Sequence, residues 1–261
     1  MLRGLKDIEE FAISATDGDI GRVANFLFDD DRWVVRYLVV ETGGFLAGRR
    51  VLISPISFRL VDWGARRFHL ALTMEKVKSS PSVDVNKPVS RQHERNYYSY
   101  YGYPYYWGYA GLWGSATSPR LLAAGTWNEV PTADSEKLGD VHLRSVNEVR
   151  GYHIHGKDAT IGQVDDFIID DETWAVRYLV IDTSNWWFGK KVLVAPHWAS
   201  RISWAEANVY LDMSRQAIKD GPEWKSSVPI SREYEARLHD YHKRPAYWDA
   251  GDAGTPAARV R

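Results

Sequence analysis

Two pairs of histidines are among the residues of this chain that could bind a metal or take part in a reaction. His153 and His155 would share one face of a strand, and His239 and His242 lie three residues apart on a predicted helix. A zinc site needs three or four ligands that converge on the ion, and neither pair supplies them. We therefore interpret these histidines as surface or edge residues and predict no metal site.

Two acidic runs, at residues 29–31 and 170–172, offer carboxylate oxygens of the kind that calcium binds. A calcium loop spaces its ligands alternately and has a glycine at the turn, and both features are missing here. Asp side chains in short runs commonly accept hydrogen bonds from their own backbone. We interpret both runs as solvated hairpin turns.

No catalytic motif accompanies these residues. The chain has no cysteine, which excludes disulfides, thiolate metal sites and cysteine nucleophiles. The sequence has no nucleophile elbow, no His-Glu-x-x-His run and no Walker A run, and the glycines at 43–48 lack the Lys-Ser/Thr of a phosphate loop. We predict a protein that is not an enzyme and that has no catalytic residues and no cofactor.

Composition and charge exclude further classes of protein. Of the 261 residues 44% are apolar, and 33 basic residues against 34 acidic ones give a formal net charge of −1. A balanced charge argues against a DNA partner. The N-terminus has no apolar signal region, and no apolar run approaches the roughly 20 residues of a spanning helix. These features predict a cytoplasmic protein with no stable membrane insertion.

An internal repeat with an offset of 141 residues organises the chain. Residues 17–55 align with 158–196 without a gap, and 18 of these 39 positions are identical. The offset continues into the aromatic run at 97–110, where Tyr106-Trp107 matches Tyr247-Trp248. The predicted organisation is a first repeat at 1–108, a linker at 109–141, a second repeat at 142–249 and a flexible tail at 250–261.

Each repeat has a β-rich part followed by short helices. Stretches of β-branched and aromatic residues are interrupted by turn residues about every ten positions, which favours a small barrel or a sandwich. Ser90 and Ser231 are predicted N-caps of helices at about 91–101 and 232–242. The fold class is therefore mainly β: two tandem small β-barrels, each followed by short helices and an aromatic tail.

Aromatic residues at equivalent positions are expected to form the structural core of both repeats. The tails are expected to pack on a barrel, because a short helix with a Tyr-Trp pair cannot bury these rings alone. The predicted core aromatics are Trp33, Trp174, Tyr37, Tyr178, Trp63, Trp204, Trp107 and Trp248.

Five residues are candidates for partner binding. Phe45, Trp186 and Trp187 lie at loop tips, where exposed aromatics can anchor a partner, with packing against the other repeat as an equal alternative. Arg36 and Arg177 could mark a binding face. The interpretation we favour for both is an outward guanidinium whose stem covers apolar surface.

The residues of the hairpin resemble a known family. Gly-Asp-Ile-Gly-Arg-Val, Phe-Leu-Phe-Asp-Asp, Trp-x-Val-Arg-Tyr-Leu-Val-Val and Val-Leu-Ile-x-Pro follow one another between residues 18 and 55, and their copies follow 141 positions later. This pattern resembles the PRC-barrel family, which includes the cytoplasmic domain of the photosynthetic reaction-centre H subunit and the C-terminal domain of a ribosome maturation factor. The resemblance implies a small all-β barrel that binds other proteins and carries no active site.

The leading hypothesis is a bacterial, non-catalytic protein-interaction or scaffold protein whose two barrels pack on each other. The partner is not named by the sequence, and a homodimer stays open. One alternative is a small-molecule or metal-binding protein that uses the cleft between the barrels. Another, by family analogy alone, is a ribosome-, RNA- or reaction-centre-associated assembly factor.

Overall fold

The computed structural model of the chain describes residues 1–46, 48–81, 89–125, 143–183 and 190–249, with the backbone only at 45 and 46. The fold is mainly β and has two seven-stranded sheets. Among the described residues no helix is both long and apolar enough to cross a bilayer.

The first repeat has seven strands and three helices, and a fourth helix follows in the predicted linker. The strands are β1 (Leu2–Gly4), β2 (Ala12–Ser14), β3 (Asp19–Asp29), β4 (Val34–Glu41), β5 (Arg50–Ile53), β6 (Phe58–Asp62) and β7 (Arg67–Leu70). The helices are α1 (Leu5–Ile8), α2 (Met74–Lys78), α3 (Arg91–Tyr101) and α4 (Pro119–Ala124), and short 3-10 turns lie at Gly43–Leu46 and Pro55–Ser57.

The second repeat follows the same order. Its strands are β8 (Leu143–Ser145), β9 (His153–His155), β10 (Thr160–Asp170), β11 (Val176–Asp182), β12 (Lys191–Val194), β13 (Ala199–Ser203) and β14 (Asn208–Leu211). Its helices are α5 (Val146–Val149), α6 (Arg215–Lys219) and α7 (Arg232–His242), with a 3-10 turn at Pro196–Trp198. The offset of 141 therefore holds for the three-dimensional elements as well as for the sequence.

The two longest helices have the predicted bounds. α3 and α7 begin after Ser90 and Ser231, whose hydroxyls accept hydrogen bonds from the backbone of His93 and Tyr234. These caps satisfy N–H groups that the first helical turn leaves without a partner. The predicted helices at 91–101 and 232–242 are confirmed.

Each sheet has the same internal strand order. In the first it is β5-β4-β3-β2-β7-β6, with β2 and β7 parallel and the other neighbours antiparallel. The terminal strands β5 and β6 do not pair with each other, and no closed barrel is found among the described strands. The buried residues of the two sheets belong to one continuous hydrophobic core.

The first strand of each repeat belongs to the sheet of the other repeat. β1 pairs antiparallel with β10, and β8 pairs antiparallel with β3. The helix after each exchanged strand is also held by the other repeat: Lys6 N donates to the Asp166 carboxylate and Asn147 N to the Asn25 side chain, each at 3.2 Å. Neither sheet is therefore complete without the other half of the chain.

The hairpins of the two repeats also meet through their backbones. Val35 N donates to Trp174 O at 2.9 Å, and Val176 N donates to Trp33 O at 2.7 Å. Trp33 and Trp174 have left-handed φ values of 55° and 59°, a conformation that costs free energy for a bulky residue. The reciprocal hydrogen bonds and the burial of both indoles hold them in this conformation.

Aromatic rings make the core continuous across the two halves. The Trp174 ring lies 5.5 Å from that of Phe58 and 6.0 Å from that of Phe68, both in the first repeat. Phe28 of the first repeat packs on Phe167 of the second at 5.4 Å. Large rings bury much apolar surface, so these contacts stabilise the association of the halves.

One arginine on each of the exchanged strands β1 and β8 contacts both repeats. Arg144 donates through Nε to Asp30 of the first repeat at 2.8 Å, and its guanidinium lies 4.6 Å from the ring of Trp204 in the second. The equivalent Arg3 donates to Asp171 at 2.6 Å and lies 3.7 Å from Trp63. Each arginine thus links a carboxylate of one repeat to an indole of the other.

The acidic turn of the first repeat is not the solvated turn that the sequence suggested. Asp29 and Asp30 are 3% and 6% exposed. Asp29 accepts hydrogen bonds from the backbone of Asp31 and Arg32, and its other oxygen pairs with Arg36. The prediction is wrong in the first repeat because the exchanged strand β8 and Arg36 cover the turn.

We predict that Arg144→Ala destabilises the fold by about 3 kcal/mol at pH 7.5, because it leaves the Asp30 carboxyl buried without its partner. Burial already raises the pKa of Asp30 to about 6 despite Arg144. The matched change Arg3→Ala should cost about 1 kcal/mol, because the Asp171 side chain is more exposed and keeps the Met1 amino group at 2.6 Å. Urea unfolding measures both, and equal losses would contradict this assignment.

Candidate functional site

Arg36 points into the protein, which corrects its interpretation as an outward, partner-binding residue. Its side chain is 1% exposed and pairs with Asp29 at 3.0 Å. It also donates to Leu112 O at 2.7 Å and stacks on Tyr106 at 3.8 Å. A guanidinium with this burial and these partners is not available to another molecule, and its removal would leave the Asp29 carboxylate buried without it.

Arg177 is the equivalent residue of the second repeat and is less enclosed. Its guanidinium lies 4.0 Å from the Tyr247 ring and 3.4 Å from the Asp170 carboxylate. It lines a small cleft between the repeats together with Trp33, His197 and Tyr247. The cleft volume is about 40 Å³, so it has room for little more than a water molecule.

The loop aromatics can be placed only in part. Trp186 and Trp187 lie outside the described residues, and the side chain of Phe45 does as well. The backbone of Phe45 lies in the 3-10 turn Gly43–Leu46. Their proposed role in partner binding stays a prediction.

The predicted core aromatics differ in their burial. Trp33, Trp174, Tyr37, Tyr178 and Trp107 are buried. Trp63, Trp204 and Trp248 are half-buried. Trp63 and Trp204 receive the arginines of the exchanged strands, so their open faces serve the contact between the halves.

A buried glutamate docks each long helix on its sheet. Glu94 of α3 is fully buried, and its carboxylate accepts hydrogen bonds from Tyr37 at 3.1 Å, Tyr106 at 2.6 Å and Arg91 at 2.8 Å. It thereby joins the sheet, the helix and the aromatic tail. This buried role of Glu94 was not predicted from the sequence.

The second repeat has the same arrangement around Glu235. This carboxylate accepts hydrogen bonds from Tyr178 and Tyr247, each at 2.9 Å. Desolvation raises the pKa of Glu235, and burial together with the nearby carboxylate raises the pKa of Tyr178 as well. Both shifts arise from burial in the contact that holds helix α7 and the aromatic tail on the sheet.

A cluster of histidines replaces part of the aromatic cluster in the second repeat. His197, His239 and His242 occupy the positions of Ile56, Tyr98 and Tyr101. His239 is 3% exposed; its Nδ1 donates to Pro245 O at 3.1 Å, and its Nε2 lies 3.0 Å from the Tyr178 hydroxyl. The interpretation as a surface histidine is therefore wrong for His239. Within the described residues no group of three potential ligands could hold a metal ion.

Part of the predicted linker is packed against both repeats. The Trp113 ring is fully buried, and its Nε1 donates to Thr173 O at 2.6 Å. Helix α4 follows, capped by Ser118 and beginning with Pro119. A serine before a proline is a helix-start signal, and it lies within a stretch whose composition suggested only a linker.

Helix α4 and strand β6 form the walls of an open groove of about 700 Å³. Leu60 on β6 and Leu121 on α4 are each 56% exposed and line it, as do Arg59 and Arg120. Trp174 and the acidic turn of the second repeat close one end. We call this feature the β6 groove, and it is the strongest candidate binding surface among the described residues that carries exposed apolar side chains.

Sequence reasoning missed the β6 groove, although a signal for it exists. Leu60 aligns with Arg201 in the internal repeat, so an apolar residue in one half replaces a charged residue in the other. Arg201 lies 4.0 Å from the ring of Tyr210 on the neighbouring strand β14. A position-by-position comparison of the two halves at edge strands would have singled out Leu60.

Comparison with known proteins supports part of the family assignment. The PRC-barrel domain model matches residues 143–211, which span β8 to β14. An uncharacterized protein of Deinococcus radiodurans is 29% identical over 97 residues, which cover 37% of this chain and 34% of that protein. The chain thus matches about a third of the length of this relative. The matched PRC-barrel range begins with the strand that pairs in the sheet of the first repeat.

We predict that His197→Ile, which copies the first repeat, reduces the acid sensitivity of the fold. Burial lowers the pKa of His197 to about 4 from its ordinary 6.5. The neutral form is favoured in the fold, so its stability contribution is complete above pH 6.5 and is lost as the pH falls toward 4. Relative to wild type, the variant should gain about 1–2 kcal/mol between pH 7 and pH 4.5.

Urea unfolding at the two pH values measures this gain, with His153→Ile as a control at an exposed histidine. A difference between His197→Ile and wild type that does not change with pH would contradict the assignment.

Proposed function

We propose that the chain is a non-catalytic protein-interaction scaffold in which both repeats are PRC-barrel-like domains. The family match at 143–211 supports this for the second repeat. For the first repeat, support comes from the same element order at an offset of 141 residues. A cytoplasmic location is part of the same proposal.

The observation that carries this proposal is that the buried ionisable groups are engaged in structural contacts. Asp29 holds Arg36, Asp30 holds Arg144, and Glu94 holds two tyrosines and an arginine. Catalytic groups with shifted pKa values usually line a cleft that admits substrate. Here the corresponding groups hold strands, helices and tails together. We infer that the outer surface of the protein binds a partner.

The cleft beside Arg177 is too small to support the small-molecule alternative at that place. Pockets for organic ligands usually have volumes of about 300–1,000 Å³. The cleft beside Arg177 has about 40 Å³. The β6 groove, at about 700 Å³, lies within that range, and its exposed leucines on an edge strand and on a helix favour a protein partner there.

The proposal predicts that the full chain captures a protein partner in a near-stoichiometric amount from the native lysate, and that nuclease treatment leaves the yield unchanged. Affinity capture with quantitative mass spectrometry measures this, and native mass spectrometry of the purified chain detects a bound small molecule. The variant Trp186→Ala/Trp187→Ala tests whether the loop aromatics belong to the binding face. Retention of RNA or of a small molecule without a protein partner would contradict the proposal.

A further inference from the structure

We propose that the β6 groove binds an extended peptide segment of a partner protein, which adds to β6 as a further strand and alternates apolar with acidic side chains. This inference rests on the proposed interaction function and names the face and the chemistry that it recognises.

The backbone of β6 is available for such an addition. β6 is the last strand of its sheet and pairs only with β7. The outer side of an edge strand presents N–H and C=O groups that the sheet does not use, and these groups can pair with an incoming strand. A peptide that runs along β6 would therefore gain main-chain hydrogen bonds.

β6 and its counterpart β13 carry their charged side chains at different positions: β6 has Arg59 and Asp62, and β13 has Arg201. Natural edge strands commonly carry charged side chains that discourage pairing with another chain. β13 has the partly buried Arg201 at the position where β6 has the exposed Leu60, and both strands share a register shift at the same place. At this position the first repeat therefore has an exposed apolar side chain, and the second repeat has a charged one.

The opposite wall supplies a second apolar contact. Five large apolar residues are exposed among the described residues, and two of them, Leu60 and Leu121, line this one groove. Alternate residues of a strand point to the same side. An added strand with an apolar residue at every second position would cover both leucines at once.

The charge of the groove selects acidic residues between the apolar ones. Arg59 and Arg120 are exposed and form no ion pair within the described part of the chain. Asp171 is already neutralised by Arg3 and by the Met1 amino group, which leaves Glu172 as the one exposed acidic side chain of the lining. The excess of positive charge would attract a peptide carboxylate.

The protein already uses strand addition between its own halves. β1 and β8 are three residues long, each begins with a leucine, and each adds to a strand of the other repeat. The groove is continuous with that interface, because Trp174 and Asp171 belong to both. Within one chain, a short segment with few main-chain hydrogen bonds is thus sufficient on this scaffold when its side chains are also anchored.

The test uses the full chain and a fluorescein-labelled, end-blocked peptide of eight residues in which glutamate and leucine alternate. We expect saturable binding by fluorescence anisotropy and changes in the backbone amide shifts of residues 59–61. Leu60→Arg, which copies β13, should weaken binding about tenfold or more. The matched change Arg201→Leu in the second repeat should leave the Kd within about twofold.

Two further measurements distinguish strand addition from non-specific hydrophobic binding. N-methylation of alternate peptide nitrogens, in each of the two registers, should abolish binding in the register that faces β6. The charge reversal Arg59→Glu/Arg120→Glu should shift preference from the glutamate peptide to one in which lysine alternates with leucine. Leu121→Glu on α4 provides a second surface variant, and thermal unfolding verifies that every variant is folded.

The proposal is overturned by the absence of saturable binding, or by binding that neither Leu60→Arg nor N-methylation weakens. It is also overturned if β6 proves to be occupied by a second copy of the chain, seen in sedimentation as a Leu60-dependent dimer that the peptide does not dissociate. If the peptide fails while Leu60→Arg still captures a protein partner from lysate, the interaction function stands and this face is wrong.

Discussion

The exchange of β1 and β8 is the constraint on which the rest of the structure depends. Each strand completes the sheet of the other repeat and carries the arginine that neutralises a buried or half-buried aspartate there. The left-handed backbone at Trp33 and Trp174 is tolerated because the two hairpins bond to each other at that point. Duplication has thus produced one interlocked unit, in which Asp30 and Asp171 of the hairpin turns are each paired with an arginine of the other half.

Within that unit the long helices depend on a second polar contact. A tyrosine from the sheet and a tyrosine from the tail both donate to one buried glutamate, Glu94 or Glu235, in each repeat. Burial makes these hydrogen bonds specific, because a carboxylate without such donors would be costly in the interior. The two halves keep this contact yet differ around it, where His197, His239 and His242 in the second repeat replace an isoleucine and two tyrosines.

Local features were predictable from the sequence, and long-range ones were not. The caps at Ser90 and Ser231 predicted the two long helices, and turn residues between β-branched and aromatic stretches predicted that each repeat is mainly β, because these signals act within a few residues. The strand order of the two sheets was not predicted. β1 and β8 are too short to show alternation, and their partners lie far away in the chain. The inward direction of Arg36 depends on Leu112 O, a backbone carbonyl in a segment whose composition suggested a linker. The groove was not predicted because Leu60 is exposed on β6, the last strand of its sheet, and the position of a strand in the sheet depends on long-range pairing.

The most direct test of the interlocked unit is hydrogen exchange followed by mass spectrometry across a urea titration of the full chain. The account predicts that peptides from the β3–β4 hairpin and from the β10–β11 hairpin lose protection at the same urea concentration, because each sheet contains a strand of the other half. Two well-separated midpoints, with one hairpin protected while the other exchanges, would contradict it and would show two independent domains.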